Sequence, residues 1–124
     1  MLVGIQDVYY TVADMPRAVT FYREVLGMRV LDTNPSWTSL DFFGSRLGLH
    51  GNNGKPVPPV QNDAQGPVAG AVLTLRSTDI DADVAYLRRN GVTIVGRSDN
   101  DWGRLALFLD PDGNFLKLMQ PARA

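Results

Sequence analysis

Lys117 is the first side chain to consider for chemical reactivity in this sequence of 124 residues, because it interrupts an apolar run. Two apolar runs in residues 108–120 flank Asp-Pro-Asp-Gly, in which proline fixes one turn dihedral and glycine supplies a positive φ. This pattern predicts a β-hairpin. Since side chains alternate along a strand, Phe115, Lys117 and Met119 share one face. An amine in such surroundings could act as a base or form a Schiff base.

The other side chains that could do chemistry are few. Asp110 and Asp112 have the spacing of a carboxylate pair, but Pro111 and Gly113 favour their interpretation as turn formers. The sequence has no cysteine, which excludes disulfides, thiolate nucleophiles and thiolate metal sites. His50 is the single histidine, and a catalytic metal site takes about three protein ligands. We therefore interpret His50 as a strand-end residue that faces the loop or a pocket rim.

Composition and charge point to an ordinary small globular protein. The formal net charge is −1, with 12 basic and 13 acidic residues scattered along the chain. This balance predicts neither a nucleic-acid partner nor a membrane partner. The N-terminus lacks a charged region followed by a long apolar one, so we expect a cytoplasmic protein. The length predicts a single domain, 1–124.

Hydrophobic periodicity and turn residues divide the chain into two similar halves. The first half is predicted to contain a strand at 8–12, a helix at 15–26 with Asp14 as its N-cap, and strands at 28–32, 37–43 and 46–50. Residues 51–66, rich in glycine, proline and asparagine, predict a linker or flap. The second half is predicted to contain a strand at 71–75, a helix that Thr78 or Asp79 caps, and strands at 92–96, 104–109 and 114–119.

The two halves form an internal repeat of the pattern β-α-β-β-β. Gly27 and Gly91, which end the two predicted helices, occupy matching positions in it. The predicted fold class is α+β, with two βαβββ modules that form half-barrel sheets around a concave cup and carry their helices on the outer face. Module one covers about 1–52, the linker about 53–67, and module two about 68–124.

Several stretches of the sequence belong together as a pattern: Val-Tyr-Tyr-Thr-Val-Ala-Asp at 8–14, Arg-Ala at 17–18, Phe-Tyr at 21–22, Val-Leu-Gly-Met at 25–28, Trp-Gly-Arg at 102–104 and Asp-Pro-Asp-Gly-Asn at 110–114. This pattern resembles the vicinal oxygen chelate superfamily, which includes glyoxalase I, fosfomycin-resistance proteins, extradiol dioxygenases and bleomycin-resistance proteins. The resemblance implies paired βαβββ modules and commonly a homodimer. The long connection at 51–66 would permit an exchange of modules between subunits.

The resemblance also implies where a metal would be bound. The superfamily's metal enzymes take His, Gln or Glu ligands from the first and last strand of each module, and these positions correspond to Asp7, Gly48, Gly70 and Lys117. None is a usual ligand there, and a protonated lysine has no lone pair to give. A register shift of two residues would bring in His50, which still leaves a poor site. We therefore expect no metal and no other cofactor.

A cup without metal could instead bind a small molecule by shape and stacking. We expect Asp7 and Lys117 to form an ion pair in place of the metal, and Gly48 and Gly70 to open space beside it. Trp37, at a strand start, and Trp102, in an irregular segment at 98–103, are predicted stacking walls at the mouth. The predicted ligand-binding residues are Asp7, Tyr9, Trp37, Arg46, Gly48, His50, Gly70, Val72, Trp102, Phe115, Lys117 and Met119.

The function that these expectations favour is sequestration of a partly apolar small molecule by a metal-independent homodimer. One alternative is a metal-dependent glyoxalase-like lyase, isomerase or dioxygenase. Another is a metal-free enzyme in which Lys117 acts as base or Schiff-base amine. The identity of the ligand does not follow from the residues.

Overall fold

A computed structural model describes residues 1–60, 62–63, 66–68 and 70–122. The chain forms two compact units, Met1–Pro58 (unit 1) and Pro59–Ala124 (unit 2). Each unit contains one helical segment and one four-stranded mixed sheet, in the order β-α-β-β-β. The predicted α+β class and the two βαβββ modules are confirmed. The cup, which would need both sheets, stays a prediction.

Unit 1 folds its four strands into a sheet of order β1-β4-β3-β2. The elements are β1 (Val8–Val12), α1 (Met15–Thr20), β2 (Arg29–Thr33), β3 (Trp37–Phe42) and β4 (Ser45–Gly51). β1 is parallel to β4, while β3 pairs antiparallel with both β4 and β2. These bounds agree with the predicted strands to within one or two residues.

The helix of unit 1 begins as predicted but changes its geometry halfway. The Asp14 carboxylate accepts a hydrogen bond from the Arg17 backbone N–H at 3.0 Å, which caps α1. From Phe21 to Val25 the helix is a π-helix, and the Leu26 N–H donates to the carbonyl of Phe21, five residues back. The helix predicted at 15–26 is therefore confirmed as one helical segment, and its second half has π geometry.

One face of the unit 1 sheet packs on this helix. Ala18 and Tyr22 of the helix and Leu40 and Leu49 of the sheet are fully buried. Since alternate side chains point to opposite faces, the residues between these strand positions lie on the other side. We call that side the open face of unit 1.

Unit 2 repeats the arrangement with strand order β7-β10-β9-β8. Its elements are the two-residue strands β5 (Asn62–Asp63) and β6 (Gly66–Pro67), then β7 (Leu73–Arg76), α2 (Ile80–Arg89), β8 (Ile94–Asn100), β9 (Gly103–Leu109) and β10 (Phe115–Pro121). Asp79 caps α2, and Ile80, Val84 and Leu87 bury its inner face against the sheet. The hairpin predicted over 108–120 is confirmed as β9 and β10.

Two predicted boundaries in unit 2 are wrong. The strand predicted at 71–75 begins only at Leu73, after an exposed bend in which Gly70 has a φ of 75°. The segment 98–103, predicted to be irregular, instead continues β8 as far as Asn100, which pairs with Gly103. Pairing with β9 holds this polar stretch extended despite its low strand propensity.

The segment predicted as a linker contains β5 and β6, which pair with each other. The boundary between the two units, after Pro58, falls inside the predicted range of 53–67. Residues 61, 64 and 65 of that range lie outside the described residues. Among the described helices, none has the length and apolar character that crossing a membrane requires.

Charged side chains tie α2 to the neighbouring strands on the surface of unit 2. The Asp81 carboxylate accepts hydrogen bonds from Arg104 at 3.0 Å and from Arg97 at 3.1 Å. Arg104 also donates to Asp99 at 2.9 Å. The hydrogen bonds from Arg104, and then the one from Arg97, hold the pKa of Asp81 below its usual value.

Replacing Asp81 tests this surface cluster. We expect Asp81→Asn to lower the free energy of unfolding modestly at neutral pH and low salt. Because the pKa of Asp81 is lower in the folded state, its contribution is present above the unfolded-state pKa and lost as pH falls through the folded-state value. Chemical denaturation at several pH and salt values measures it, with Asp32→Asn, an exposed carboxylate of β2, as control. An effect of Asp81→Asn that added salt leaves unchanged would contradict this account.

Candidate functional site

The open face of unit 1 carries three aromatic side chains on adjacent strands. Tyr9 of β1 pairs with Gly48 of β4, and His50 of β4 pairs with Trp37 of β3. The ring centroids of Tyr9 and Trp37 lie 5.5 Å apart, and those of Tyr9 and His50 lie 5.8 Å apart. The centroids of Trp37 and His50 are 6.4 Å apart. We call Tyr9, Trp37 and His50 the aromatic triad.

Gly48 makes room for the indole of this triad. A Cβ atom on Gly48 would lie 2.3 Å from Cη2 and Cζ2 of Trp37 and 3.0 Å from Cβ of Tyr9. The indole Nε1–H of Trp37 donates a hydrogen bond to Ser39 Oγ at 2.9 Å, which fixes the ring in this place. The expectation that Gly48 opens space for a ligand is therefore wrong, since Trp37 fills that space.

Ser39 is a site residue that the sequence reasoning missed. It lies two positions after Trp37 on the same strand and pairs with Gly48. Its hydroxyl holds the indole in position, so it supports the triad. The alternation of Trp37 and Ser39 along β3 could have indicated the contact.

The triad combines apolar area with polar atoms. The exposed fraction of Tyr9 is 55%, and His50 is also exposed, whereas Trp37 is half-buried. Aromatic rings at these separations attract one another and offer edges and faces to a further ring. The surface can therefore stack a planar or partly apolar molecule.

A row of charged side chains follows the triad along the open face of unit 1. Arg46 of β4 pairs with Asp41 of β3, which in turn pairs with Arg29 of β2. The carboxylate of Asp41 and the guanidinium of Arg29 lie 3.7 Å apart. Asp7, half-buried, directly precedes β1. Both signs of charge are present, so the row could orient a polar ligand group.

The corresponding face of unit 2 is mainly apolar but carries two basic side chains, Lys117 of β10 and Arg76 of β7, which pairs with Met119. Leu116 and Leu118 are buried towards α2, so Phe115, Lys117 and Met119 occupy the other face, as predicted. Lys117 pairs with Thr74 of β7 and Leu107 of β9 and is half-buried.

The other predicted ligand-binding residues of unit 2 lie outside its central strands. Gly70 is exposed in a bend, and Val72 is half-buried just before β7. Trp102, 58% exposed, lies in the tight turn between β8 and β9. The structure thus groups Tyr9, Trp37, Gly48 and His50 in unit 1, while the predicted Asp7–Lys117 ion pair joins different units and stays a prediction.

The donor atoms present do not fit the metal centre implied by the superfamily resemblance. Gly48 and Gly70 have no side chain, and the Cβ position of Gly48 is filled by an indole. Within residues 1–60, 62–63, 66–68 and 70–122, no three His, Cys, Asp or Glu side chains come together as a possible metal site. Asp7 and His50 are the potential donors that remain among the positions considered.

A second feature of unit 1 is a recess of about 950 Å³ beside α1. Its walls are the start of α1, the turn between β2 and β3, and the chain after β4, including Arg17, Arg23, Asn34 and Asn53. None of the predicted ligand-binding residues lines it. We place the candidate site on the open face because three aromatic rings converge there.

The fold agrees with a family assignment. Residues 4–118 match the model of the Glyoxalase/Bleomycin resistance protein/Dioxygenase superfamily. The chain belongs to this superfamily, which confirms the resemblance seen in the sequence.

Individual relatives differ in what their names state. The metallothiol transferase FosB of Staphylococcus epidermidis is 26% identical over 120 residues, which cover 95% of this chain and 84% of that protein. TnmS3, an antibiotic binding protein from Streptomyces sp. CB03234, is 30% identical with a TM-score of 0.69 and covers 98% of this chain and 100% of its own. The fosfomycin resistance protein FosX of Listeria monocytogenes is 13% identical with a TM-score of 0.76, covering 98% of this chain and 96% of its own, and shows the fold alone.

Proposed function

We propose that this protein binds and sequesters a partly apolar small molecule without a metal ion, and that the aromatic triad of unit 1 forms the stacking part of the site. The observation that carries the proposal is the indole of Trp37, held over Gly48 and hydrogen-bonded to Ser39. A ring fixed in this way loses little freedom when a ligand stacks on it. Arg46 and Asp7 supply polar groups beside the triad.

The choice of a binder over a metal enzyme rests on the donor set. A Lewis-acid mechanism needs ligands that deprotonate or carry lone pairs, whereas the four corresponding positions hold Asp7, Gly48, Gly70 and Lys117. Stacking needs only rings and shape. The antibiotic-binding relative TnmS3 supports the binder, while the transferase FosB supports the alternative of a metal-dependent enzyme.

The proposal also includes residues of unit 2 from the predicted site. Phe115, Lys117 and Met119 share a largely apolar face that could contact the same class of ligand. We further propose that the protein is a cytoplasmic homodimer. We expect no nucleic-acid or membrane partner, because the charges of the chain are scattered and nearly balanced.

Binding of an aromatic probe, anilinonaphthalene sulfonate, tests the role of the triad. We expect Tyr9→Ala to weaken saturable binding of this probe about tenfold, because a ring of the stacking surface is removed. Tyr86→Ala, which removes a partly exposed ring from α2, is the matched control and should leave the affinity unchanged. Equal affinities for both variants and the unmodified protein would remove the support for this site.

Metal content separates the proposed binder from the enzyme alternative. The protein is purified without chelator or affinity tag, its bound metals are measured, and tryptophan fluorescence is followed while divalent ions are added. Metal well below one per chain, with no fluorescence response, is the expected result. Nearly one metal per chain with a saturable response would replace the binder by a metal-dependent enzyme.

A further inference from the structure

The sequence contains two Asn-Gly pairs, Asn53-Gly54 and Asn90-Gly91, and both are exposed. Asparagine followed by glycine is prone to deamidation, because glycine has no side chain to hinder the approach of its backbone nitrogen to the side chain of the asparagine. The two pairs have the same intrinsic chemistry. The structure around each pair therefore determines whether the reaction proceeds there.

Asn53 and Gly54 are the two central residues of an exposed turn that follows β4. They have φ values of 53° and 76°, and the Lys55 N–H donates a hydrogen bond to the Asn52 carbonyl at 3.0 Å, as in a type I′ turn. The side chain of Asn52, not that of Asn53, donates to the carbonyls of Lys55 and Pro56. Within the described part of the chain, neither the Asn53 side chain nor the Gly54 N–H makes a hydrogen bond.

The second pair ends α2, and hydrogen bonds engage both of its reactive groups. The side-chain Nδ2 of Asn90 donates to the Tyr86 carbonyl at 2.9 Å. The backbone N–H of Gly91 donates to the Arg88 carbonyl at 3.0 Å. A reaction at this pair would have to open the last turn of α2, which contains the buried Leu87.

The free energy of local opening therefore differs between the two pairs. Exposed turns with few hydrogen bonds open more readily than helix ends that are packed on a core. At the first pair the attacking nitrogen needs only a change of the turn, which one backbone hydrogen bond closes. At the second pair the hydrogen bonds of both reacting groups must break first.

We propose that Asn53 is a site of spontaneous deamidation in the folded protein and that Asn90 is protected. The backbone nitrogen of Gly54 forms a bond to Cγ of Asn53, and the bond between Cγ and Nδ2 breaks. The proton of the attacking N–H is lost to solvent, and Nδ2 takes up a proton and leaves as ammonia. Water then adds to one carbonyl carbon of the resulting succinimide ring, which opens to aspartate or isoaspartate.

The modification would change the charge of the recess beside α1, because Asn53 lines it. Among the described residues of its wall, the charged side chains are Asp14, Arg17 and Arg23. A carboxylate at position 53 would balance this excess of basic groups. The isoaspartate product would also lengthen the backbone of the turn by one methylene group.

Peptide mapping by mass spectrometry follows both pairs in one sample of the full chain, incubated at mildly alkaline pH. We expect Asn53 to deamidate at least about tenfold faster than Asn90, as a difference in local opening would produce. The rate at Asn53 should rise with pH, because the attacking nitrogen must lose its proton. Asn53→Gln, whose longer side chain closes a ring less readily, should remove the product at this position and leave Asn90 unchanged.

The same measurement in guanidinium chloride separates structure from sequence. Unfolding breaks the hydrogen bonds of both pairs, so the two rates should become nearly equal. Equal rates in the folded protein, or a faster reaction at Asn90, would overturn the proposal. A difference that persists unchanged in the unfolded chain would also overturn it, because flanking residues and not the fold would then set the rates.

Discussion

Gly48→Ala is expected to weaken binding of the aromatic probe tenfold or more by displacing the indole of Trp37. The new methyl group would lie 2.3 Å from two indole carbons, so the ring must move. A moved ring loses its hydrogen bond to Ser39 and its edge contact with Tyr9. A tenfold loss corresponds to about 1.4 kcal/mol, which is within the range expected for a disrupted stacking surface.

The same substitution should destabilise unit 1 by about 1–3 kcal/mol, as is usual when a methyl group is forced into filled space. Gly96→Ala is the matched control, since Gly96 is a strand glycine whose Cβ would meet Leu107 Cδ1 at an ordinary 3.5 Å. The control should leave both stability and probe affinity nearly unchanged. Probe titration and chemical denaturation of both variants give the comparison. Unchanged probe affinity in a folded Gly48→Ala protein would show that the indole position is irrelevant to binding.

Much of the fold could be predicted because the sequence marks its element ends with residues of special geometry. Asp14 and Asp79 cap the two helices, and Gly27 and Gly91 end the helical segments with φ values of 78° and 77°. These signals recur at matching positions, so the repeat of βαβββ units was visible before any pairing was known. Alternation then separated the buried face of each sheet from its open face.

Two local features of the structure were not predicted from the sequence. No local signal distinguishes a π-helix from an α-helix over Phe21–Val25, because both bury Phe21 and Tyr22. The polar end of β8 is extended because β9 pairs with it, which its composition does not indicate. Pairing across the short turn at residues 101–102, and not composition, therefore sets where β8 ends.

The candidate site, like the fold, could be predicted from the sequence only in part. Alternation predicted that Tyr9, Trp37 and His50 could share a face, but only the register between β1, β3 and β4 brings their rings together. The role of Gly48 was misassigned because a missing side chain has two opposite meanings, an open space or a space that a neighbour fills. The distance to Trp37 decides for the second meaning.

The turn between β9 and β10 contains Asp110 and Asp112, the two carboxylates whose spacing is that of a catalytic pair. Asp110 is 5% exposed, and one of its carboxylate oxygens accepts hydrogen bonds from the backbone N–H groups of Asp112 and Asn114, each at 2.9 Å. Its other oxygen accepts a hydrogen bond from Asn114 Nδ2 at 2.9 Å. A carboxylate engaged in this way organises the turn. The interpretation of Asp110 as a turn former is confirmed.

Asp110→Ala is accordingly expected to lower the free energy of unfolding by about 2–4 kcal/mol, because the buried donors of Asn114 lose a charged acceptor. This turn connects the two central strands of unit 2, so disrupting the turn destabilises the whole β9–β10 pair. Chemical denaturation measures the effect, and Asp101→Ala, in the exposed turn between β8 and β9, is the control with little expected change. Probe affinity should remain unaltered under conditions in which Asp110→Ala is folded. A stable Asp110→Ala protein that no longer binds the probe would assign Asp110 to the ligand site, because the carboxylate would then act on the ligand and not on the turn.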